Sequence, residues 1–252
     1  MKHIVPFFLL WMVFFLSLYG STRSDVTLLE SSEKIKFLSQ KLAREYIFLY
    51  RFPHKKEAIP QMQKDLLSFE ESLRHIALAT KKPKVKRLLE FFSYEKESLR
   101  EHIATEPTSK GAMSFLDNSE AITEGAENIA HLVGYDFSFE EKMLMHSKKI
   151  SYLLEKIFKY YTVLSSSLDK TNSEEKMRQA IVEMERELNL LKSYRYPEAI
   201  KQVKSNLFES WEVAKYYYLS SRGEKVPNIV NIAHQDMQTL VGIISIYHSK
   251  NQ

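Results

Sequence analysis

The sequence predicts an all-α fold, two tandem antiparallel four-helix bundles behind an N-terminal signal or anchor helix, and three observations predict it. Glycine and proline are scarce, 6 and 7 in 252 residues, which leaves too few turn residues for many short strands and favours long helices. Apolar residues recur at helical spacing. Ile35, Leu38, Leu42, Tyr46 and Leu49 step by 3, 4, 4 and 3, and Leu66, Phe69, Leu73 and Ile76 by 3, 4 and 3, the stripe of a helix that packs one face on partners. The chain also repeats itself at a shift of 115 residues, and an internal repeat marks the unit of architecture.

The shift lays Ser32–Leu49 on Ser147–Leu164 with seven identities in 18 positions: Ser32/Ser147, Lys34/Lys149, Ile35/Ile150, Leu38/Leu153, Lys41/Lys156, Tyr46/Tyr161 and Leu49/Leu164. Without a gap it lays Leu66, Leu67, Phe69, Leu73 and Ile76 on Ile181, Val182, Met184, Leu188 and Leu191. Val85, Leu88 and Phe92 fall on Ile200, Val203 and Leu207, and Ile122, Ala126 and Ile129 on Met237, Val241 and Ile244. Apolar falls on apolar, and Glu70 falls on Glu185.

The first helix is expected over 27–50. Pro53 and Pro60 separate it from the second, 61–79. Lys82-Pro83 opens the third, 84–103, because a proline lacks only an N–H that has no partner in the first turn. Pro107 and Gly111 precede the fourth, 113–133. The segment Gly134–Phe139 is short and aromatic, so the fourth helix runs almost directly into the fifth, 140–167. Asn172 and Ser173 open the sixth, 173–193; Pro197 opens the seventh, 197–220; Gly223 and Pro227 precede the eighth, 227–249. Four amphipathic helices with short loops bury their stripes best as an antiparallel bundle, which sets domains at 25–136 and 137–252. One fused eight-helix body is the alternative.

The N-terminal segment reads as an address. Met1-Lys2-His3 precedes an uncharged run from Ile4 to Tyr19, and Gly20, Ser21, Thr22, Arg23, Ser24 and Asp25 follow. A basic start, an apolar stretch and small residues mark an export signal. The run of 16 residues is long for a signal core and short of the ~20 of a full span. Residues 1–24 are therefore expected to be a cleaved signal peptide or a retained inner-membrane anchor through 4–19, a buried core helix being the plain alternative. No other segment approaches a span. The protein is expected to be periplasmic or otherwise exported, to touch a membrane only through this segment, and to carry no cytoplasmic output domain on this chain.

Composition excludes several functions. The chain has no cysteine, which removes disulfides, thiolate metal sites and a cysteine nucleophile. A net charge of +4 is too mild for a nucleic-acid partner. Neither phosphate-loop signature occurs, nor GxSxG or HExxH. Ser-x-x-Lys at Ser31/Lys34 and Ser93/Lys96 lacks its companion motifs. No Glu stands three residues before a His, as a di-iron bundle requires; Glu71/His75 and Glu127/His131, four apart, read as surface pairs. No enzymatic activity, cofactor or metal is expected.

The aromatic clusters Tyr216–Tyr218, Tyr160–Tyr161 and Phe91–Phe92 are expected to divide between core and rim, and Trp211, between Leu207 and Ala214 on its stripe, to lie in the core. Lys34, Lys36, Lys41 and Arg44 cluster on the first helix, and Lys34 and Lys41 recur as Lys149 and Lys156. The plain reading is a solvated basic face. The functional reading is an anion site where two such helices meet, since an anion between helices needs cationic and hydroxyl donors; Ser39 and Gln40 would add neutral ones.

The stretch Lys36-Phe-Leu-Ser-Gln-Lys-Leu-Ala-Arg-Glu-Tyr46 resembles the first helix of the type IV pili methyl-accepting chemotaxis transducer N-terminal domain, the PilJ/NarX-type periplasmic sensor domain. Leu38, Ser39, Gln40, Ala43 and Tyr46 match that helix outright, Lys36, Lys41 and Arg44 match in charge, and Phe37 replaces Met. Copy two keeps Leu153, Lys156 and Tyr161 but carries Ser151, Leu154 and Glu155 at the basic, Ser and Gln positions. The resemblance implies an extracytoplasmic four-helix bundle. In nitrate-sensing members, it implies, an Arg on this helix holds the anion across a two-fold dimer axis; the matching position here is Lys36, paired with Ser151 in the second copy. Lysine is the weaker clamp for a planar anion. Two tandem copies would imitate the family's dimer within one chain.

The expected function is an exported, sensor-type ligand-binding module that holds a small anion such as nitrate or nitrite between helices and signals through a membrane sensor or envelope protein. The candidate ligand residues are Lys36, Ser39, Gln40, Lys41 and Arg44. The alternative is a structural or protein-interaction bundle of the cell envelope that binds no small ligand.

Overall fold

The computed structural model describes residues 4–133, 135–166, 168–220 and 228–252, with side chains from Ser24 onward except at 170, 171 and 228. Eight α-helices and one 3-10 turn follow in chain order, and no strand occurs among the described residues. They are α1 (Ile4–Arg51), the turn (Lys56–Ala58), α2 (Ile59–Ala79), α3 (Pro83–Ile103), α4 (Ser109–His131), α5 (Phe139–Ser166), α6 (Lys170–Ser193), α7 (Glu198–Ser220) and α8 (Asn228–Asn251). The breakers act where periodicity places them. Pro60 and Pro83 stand in the first turns of α2 and α3. Thr108 caps α4, its hydroxyl accepting from Gly111 N at 3.0 Å. At the start of α5, Ser138 N donates to Glu141 Oε2 at 2.7 Å and Glu141 N to Ser138 Oγ at 3.2 Å, a reciprocal cap that satisfies two orphan donors.

The first helix departs from expectation at its start. It runs unbroken from Ile4 rather than from 27. Between the apolar run and Leu28 the strongest breaker is the lone Gly20, and one glycine costs a helix only about 1 kcal/mol. The side chains of the segment expected to be a signal or anchor, up to Arg23, lie outside the described residues, as do Met1–His3 altogether. Among the described residues no helix is long and apolar enough to cross a membrane.

α1 and α5 form the inner pair. α1 packs on α2, α4 and α5, and α5 on α1, α6 and α8; α2 meets α3, α3 meets α4, α6 meets α7 and α7 meets α8. Polar contacts give the directions. Ser24 Oγ donates to Ala79 O and Lys41 pairs with Asp65, so α1 and α2 are antiparallel. Lys36–Glu127 and Gln40–Ser119 set α4 antiparallel to α1, and Ser147–Ser245 and His234–Glu155 set α8 antiparallel to α5. α1 and α5 run parallel: Glu30 pairs with Lys148, Lys36 lies over the Tyr152 ring, and Arg44 pairs with Glu155. The buried apolar side chains form one continuous cluster drawn from all the helices.

Because α5 is surrounded, every position from Tyr152 to Leu164 except Lys156 is buried. A helix covered all round shows no single stripe. Tyr160 and Tyr161 are therefore both buried, although one was expected at the rim, whereas Tyr218 is buried and Tyr216 exposed as expected. Trp211 lies in the core, 1% exposed.

Gly125 of α4 faces the Phe92 ring of α3, where a Cβ would meet ring carbons at 2.7 and 2.8 Å. The positions 115 residues on are Leu240 and Leu207, both buried, so a large–small pair in one half answers a medium–medium pair in the other. Alanine at an open helical glycine would stabilise by about 1 kcal/mol. Here Gly125→Ala is expected to destabilise by about 1–2 kcal/mol in urea unfolding through overpacking, and adding Phe92→Leu should recover most of the loss. A stabilised single variant would contradict this packing.

Candidate functional site

The polar groups that the two inner helices bury against each other and against α4 and α8 make the candidate site. On α1, Gln40 is fully buried; its Nε2 donates to Ser119 O at 3.0 Å and to Thr123 Oγ1 at 2.9 Å, both on α4. On α5 the equivalent residue is Glu155, and the equivalents of Ser119 and Thr123 are His234 and Gln238. Glu155 Oε1 lies 3.0 Å from His234 Nε2 and accepts from Gln238 Nε2 at 3.2 Å. The same three positions therefore meet in both halves, with neutral chemistry in the first and a carboxylate–imidazole pair in the second.

Two cations complete the seam, again at equivalent positions, Arg44 and Lys159. Arg44 Nε donates to Glu155 Oε2 at 2.8 Å and its guanidinium lies 5.3 Å from the centre of the Phe158 ring. Lys159 is 0% exposed; its ammonium donates to Glu120 Oε1 at 2.6 Å and Ser119 Oγ at 3.0 Å and sits over the Tyr160 ring. Charge-assisted bonds of this kind are short and strong, and each cation crosses from one inner helix to a group belonging to the other half.

Burial and pairing pull the ionisations in opposite directions. Burial alone would raise the Glu155 carboxyl, but the Arg44 charge and the His234 contact hold it well below the usual carboxylate range. Glu120, likewise buried, is brought down to about 2 by Lys159 and Lys156. Burial pushes Lys159 down to about 8, Glu120 only partly restoring it. Glu45 is the outlier. Burial lifts its carboxyl to about 7, because Arg44 and Lys41 only partly offset the desolvation, and its Oε2 is buried without a hydrogen-bond partner.

Glu45 makes a stability prediction. Its folded value near 7 stands above the ordinary 4.5, so the folded state holds the proton more tightly than the unfolded chain. Stability is then lost as pH rises from 4.5 through 7, by about 3 kcal/mol in all. Glu45→Gln removes that loss. In urea unfolding across pH 5–8, the variant should gain on the parent as pH rises; parallel curves would contradict the burial of this carboxyl.

The five sequence candidates are placed as follows. Lys36 is 4% exposed, with its ammonium 2.9 Å from Glu33, 3.6 Å from Glu127 and over the Tyr152 ring. Ser39 Oγ donates to Lys36 O at 2.8 Å, and Gln40 is engaged by α4 as above. Lys41 is 2.7 Å from Asp65, and Arg44 is bonded to Glu155. The solvated basic face read from the sequence is thus internal at Lys36, Lys41 and Arg44, because α5, α4 and α2 cover α1; Lys34 alone of that cluster is exposed. Lys34 borders a polar cleft of about 1080 Å³ shared with Glu30, His75 and Lys148.

Sequence reasoning missed Glu155, Lys159 and His234, the counterparts of Gln40, Arg44 and Ser119, although adding 115 to 40, 44 and 119 names them. It also missed a cluster confined to the second half. Glu140 Oε2 lies 2.7 Å from His248 Nδ1, His248 Nε2 lies 2.8 Å from Tyr196 Oη, and Tyr194 Oη donates to Glu140 Oε1 at 2.5 Å. The order carboxylate–imidazole–hydroxyl suits proton transfer, but burial raises the Tyr196 hydroxyl well above its ordinary value and His248 is itself buried. The cluster ties the ends of α5 and α8 to the α6–α7 connection. Among the described residues no group of three or more His, Asp or Glu is placed to hold a metal ion. Comparison with protein-family models, with curated proteins and with solved structures finds no match for the chain.

Proposed function

We propose that the protein is an exported sensor-type ligand-binding module built from two tandem four-helix bundles, α1–α4 and α5–α8, that imitate a dimer within one chain, and that it passes a change of helix packing to a partner protein. The observation that carries the reading is the equivalence of the buried contacts: Gln40–Ser119–Thr123 between α1 and α4 and Glu155–His234–Gln238 between α5 and α8 occupy matching positions. Buried ion pairs add little net stability over apolar packing, so polar groups kept at the seam between two halves speak for a role in ligand response. Parallel inner helices whose polar contacts can be exchanged are suited to the small shifts by which two-state bundles signal. The sequence resemblance to PilJ/NarX-type domains supports the same reading.

The test is thermal unfolding with nitrate, nitrite and other small anions against chloride at fixed ionic strength. A ligand at 100 times its Kd should stabilise by about 2.7 kcal/mol, roughly 5–10 °C in a chain of this size. A flat Tm for every anion removes the small inorganic anion from the proposal.

One observation favours the second reading, an interaction protein of the cell envelope. α8 exposes Ile229, Ile232, Ile243 and Ile246, while the equivalent α4 positions are Ser114, Asp117, Asn128 and His131. The fold does not require that stripe to be apolar, and partner contact does.

A further inference from the structure

Near the Arg44 end of the seam lies a cavity of about 490 Å³, within the range of small-molecule sites, ~300–1,000 Å³. Its walls come from both halves. α1 and the segment after it give Arg44, Glu45, Phe48 and Phe52, with Lys55 at the rim; α5 gives Phe158 and Thr162; α8 gives Asn231 and Gln235.

The repeat explains why the space is open. In the other half the cation is Lys159, and Glu120 of α4 closes on it at 2.6 Å while the Tyr160 ring lies against it. The matching residues around Arg44 are Gln235 for Glu120 and Glu45 for Tyr160. Gln235 brings no carboxylate and Glu45 no ring to those two positions; Arg44 is met instead by Glu155, Glu45 and the Phe158 ring, and a cavity opens beside it. The bonds from Arg44 Nε to Glu155 and from Nη2 to Glu45 use two of its five N–H donors. Among the described residues Lys55 pairs only with Glu57, at 3.6 Å and largely in solvent. Glu45 Oε2 is buried and unpartnered on the same wall.

We propose that this cavity binds a small amphipathic carboxylate. The ligand's carboxylate takes the place that Glu120 holds at the other end, facing Arg44 and Lys55. Its apolar or aromatic body lies among Phe48, Phe52 and Phe158, where Tyr160 lies in the other half. The amide of Asn231 supplies a neutral donor. Glu45, its carboxyl lifted towards 7 by burial, carries a proton readily and offers a donor in place of a repelling charge. This site rests on the reading of the chain as a ligand-binding module, and is separate from any inorganic anion at Lys36.

The probes are phenylacetate, hexanoate and the neutral isostere phenylacetamide, titrated into the full chain by calorimetry, with thermal unfolding alongside. Phenylacetate or hexanoate should bind, and phenylacetamide should bind at least 10-fold more weakly. Gln235→Glu builds the first half's carboxylate into the cavity from an exposed position and should weaken phenylacetate at least 10-fold. Gln235→Ala should stay within 3-fold of the parent, and both variants should keep the parent's circular dichroism. Lys55→Glu, on a half-exposed side chain, should weaken binding in the same direction. Equal binding of acid and amide, or undiminished binding to Gln235→Glu, overturns the proposal. If neither carboxylate binds while nitrate raises the Tm, this site falls and the sensor reading stands; if no probe binds, both fall.

Discussion

Glu155→Leu should lower the unfolding free energy by about 3–5 kcal/mol, the usual result of removing one partner from a buried ion pair. The carboxylate accepts from Arg44 and Gln238 and meets His234, so its loss strands a guanidinium inside the seam and unpairs groups on two other helices. The cost comes from the abandoned charge, which the second half of the test exposes. Glu155→Leu combined with Arg44→Met removes both charges with similar volume and should return most of the lost stability, leaving a coupling of several kcal/mol in the double-mutant cycle. Urea unfolding of the four proteins measures it. A loss below about 1 kcal/mol for the single variant, as for an exposed pair, would mean that the inner helices do not enclose this carboxylate.

Trp211→Ala should cost about 3–5 kcal/mol, the range for deleting a buried aromatic ring. The indole is 1% exposed, packs near Tyr218, and its Nε1 is buried without a hydrogen-bond partner. Trp211→Phe keeps most of the ring and discards the unsatisfied donor, so it should cost less than about 1.5 kcal/mol. The equivalent residue in the first half is Lys96, 7% exposed, whose ammonium reaches Glu70 at 3.3 Å and Glu97 at 3.0 Å. One position thus fills its half of the core with an indole in one copy and with a lysine stem in the other. Equal losses for Trp211→Ala and Trp211→Phe would contradict the packing of that ring.

The outer helices were legible because one face of each is wet. Leu66, Phe69, Leu73 and Ile76 of α2 are all buried, as their spacing requires, and so are Ile181, Met184, Leu188 and Leu191 of α6. Prolines and capping residues marked the boundaries for physical reasons that hold locally, as Ser138 and Glu141 show. The inner helices were less legible. A stripe argument assumes that residues off the stripe meet water, and on α1 and α5 they meet the other half. Lys36, Gln40 and Arg44 therefore read as surface charge or as free ligand donors, when each has a partner in the protein. Glu155 read as a departure from a motif, although its position relative to Gln40 was already fixed by the repeat. The cavity beside Arg44 was beyond sequence reasoning, since it depends on what Gln235 and Glu45 leave unfilled.

Native-state hydrogen exchange tests most directly the claim that two equivalent halves are joined along α1 and α5. The amides of 28–49 in α1 and 143–164 in α5 should be the slowest in the protein and should open together, at one free energy equal to that of global unfolding. Opening of α5–α8 at a free energy several kcal/mol below that of α1–α4 would contradict a shared inner seam.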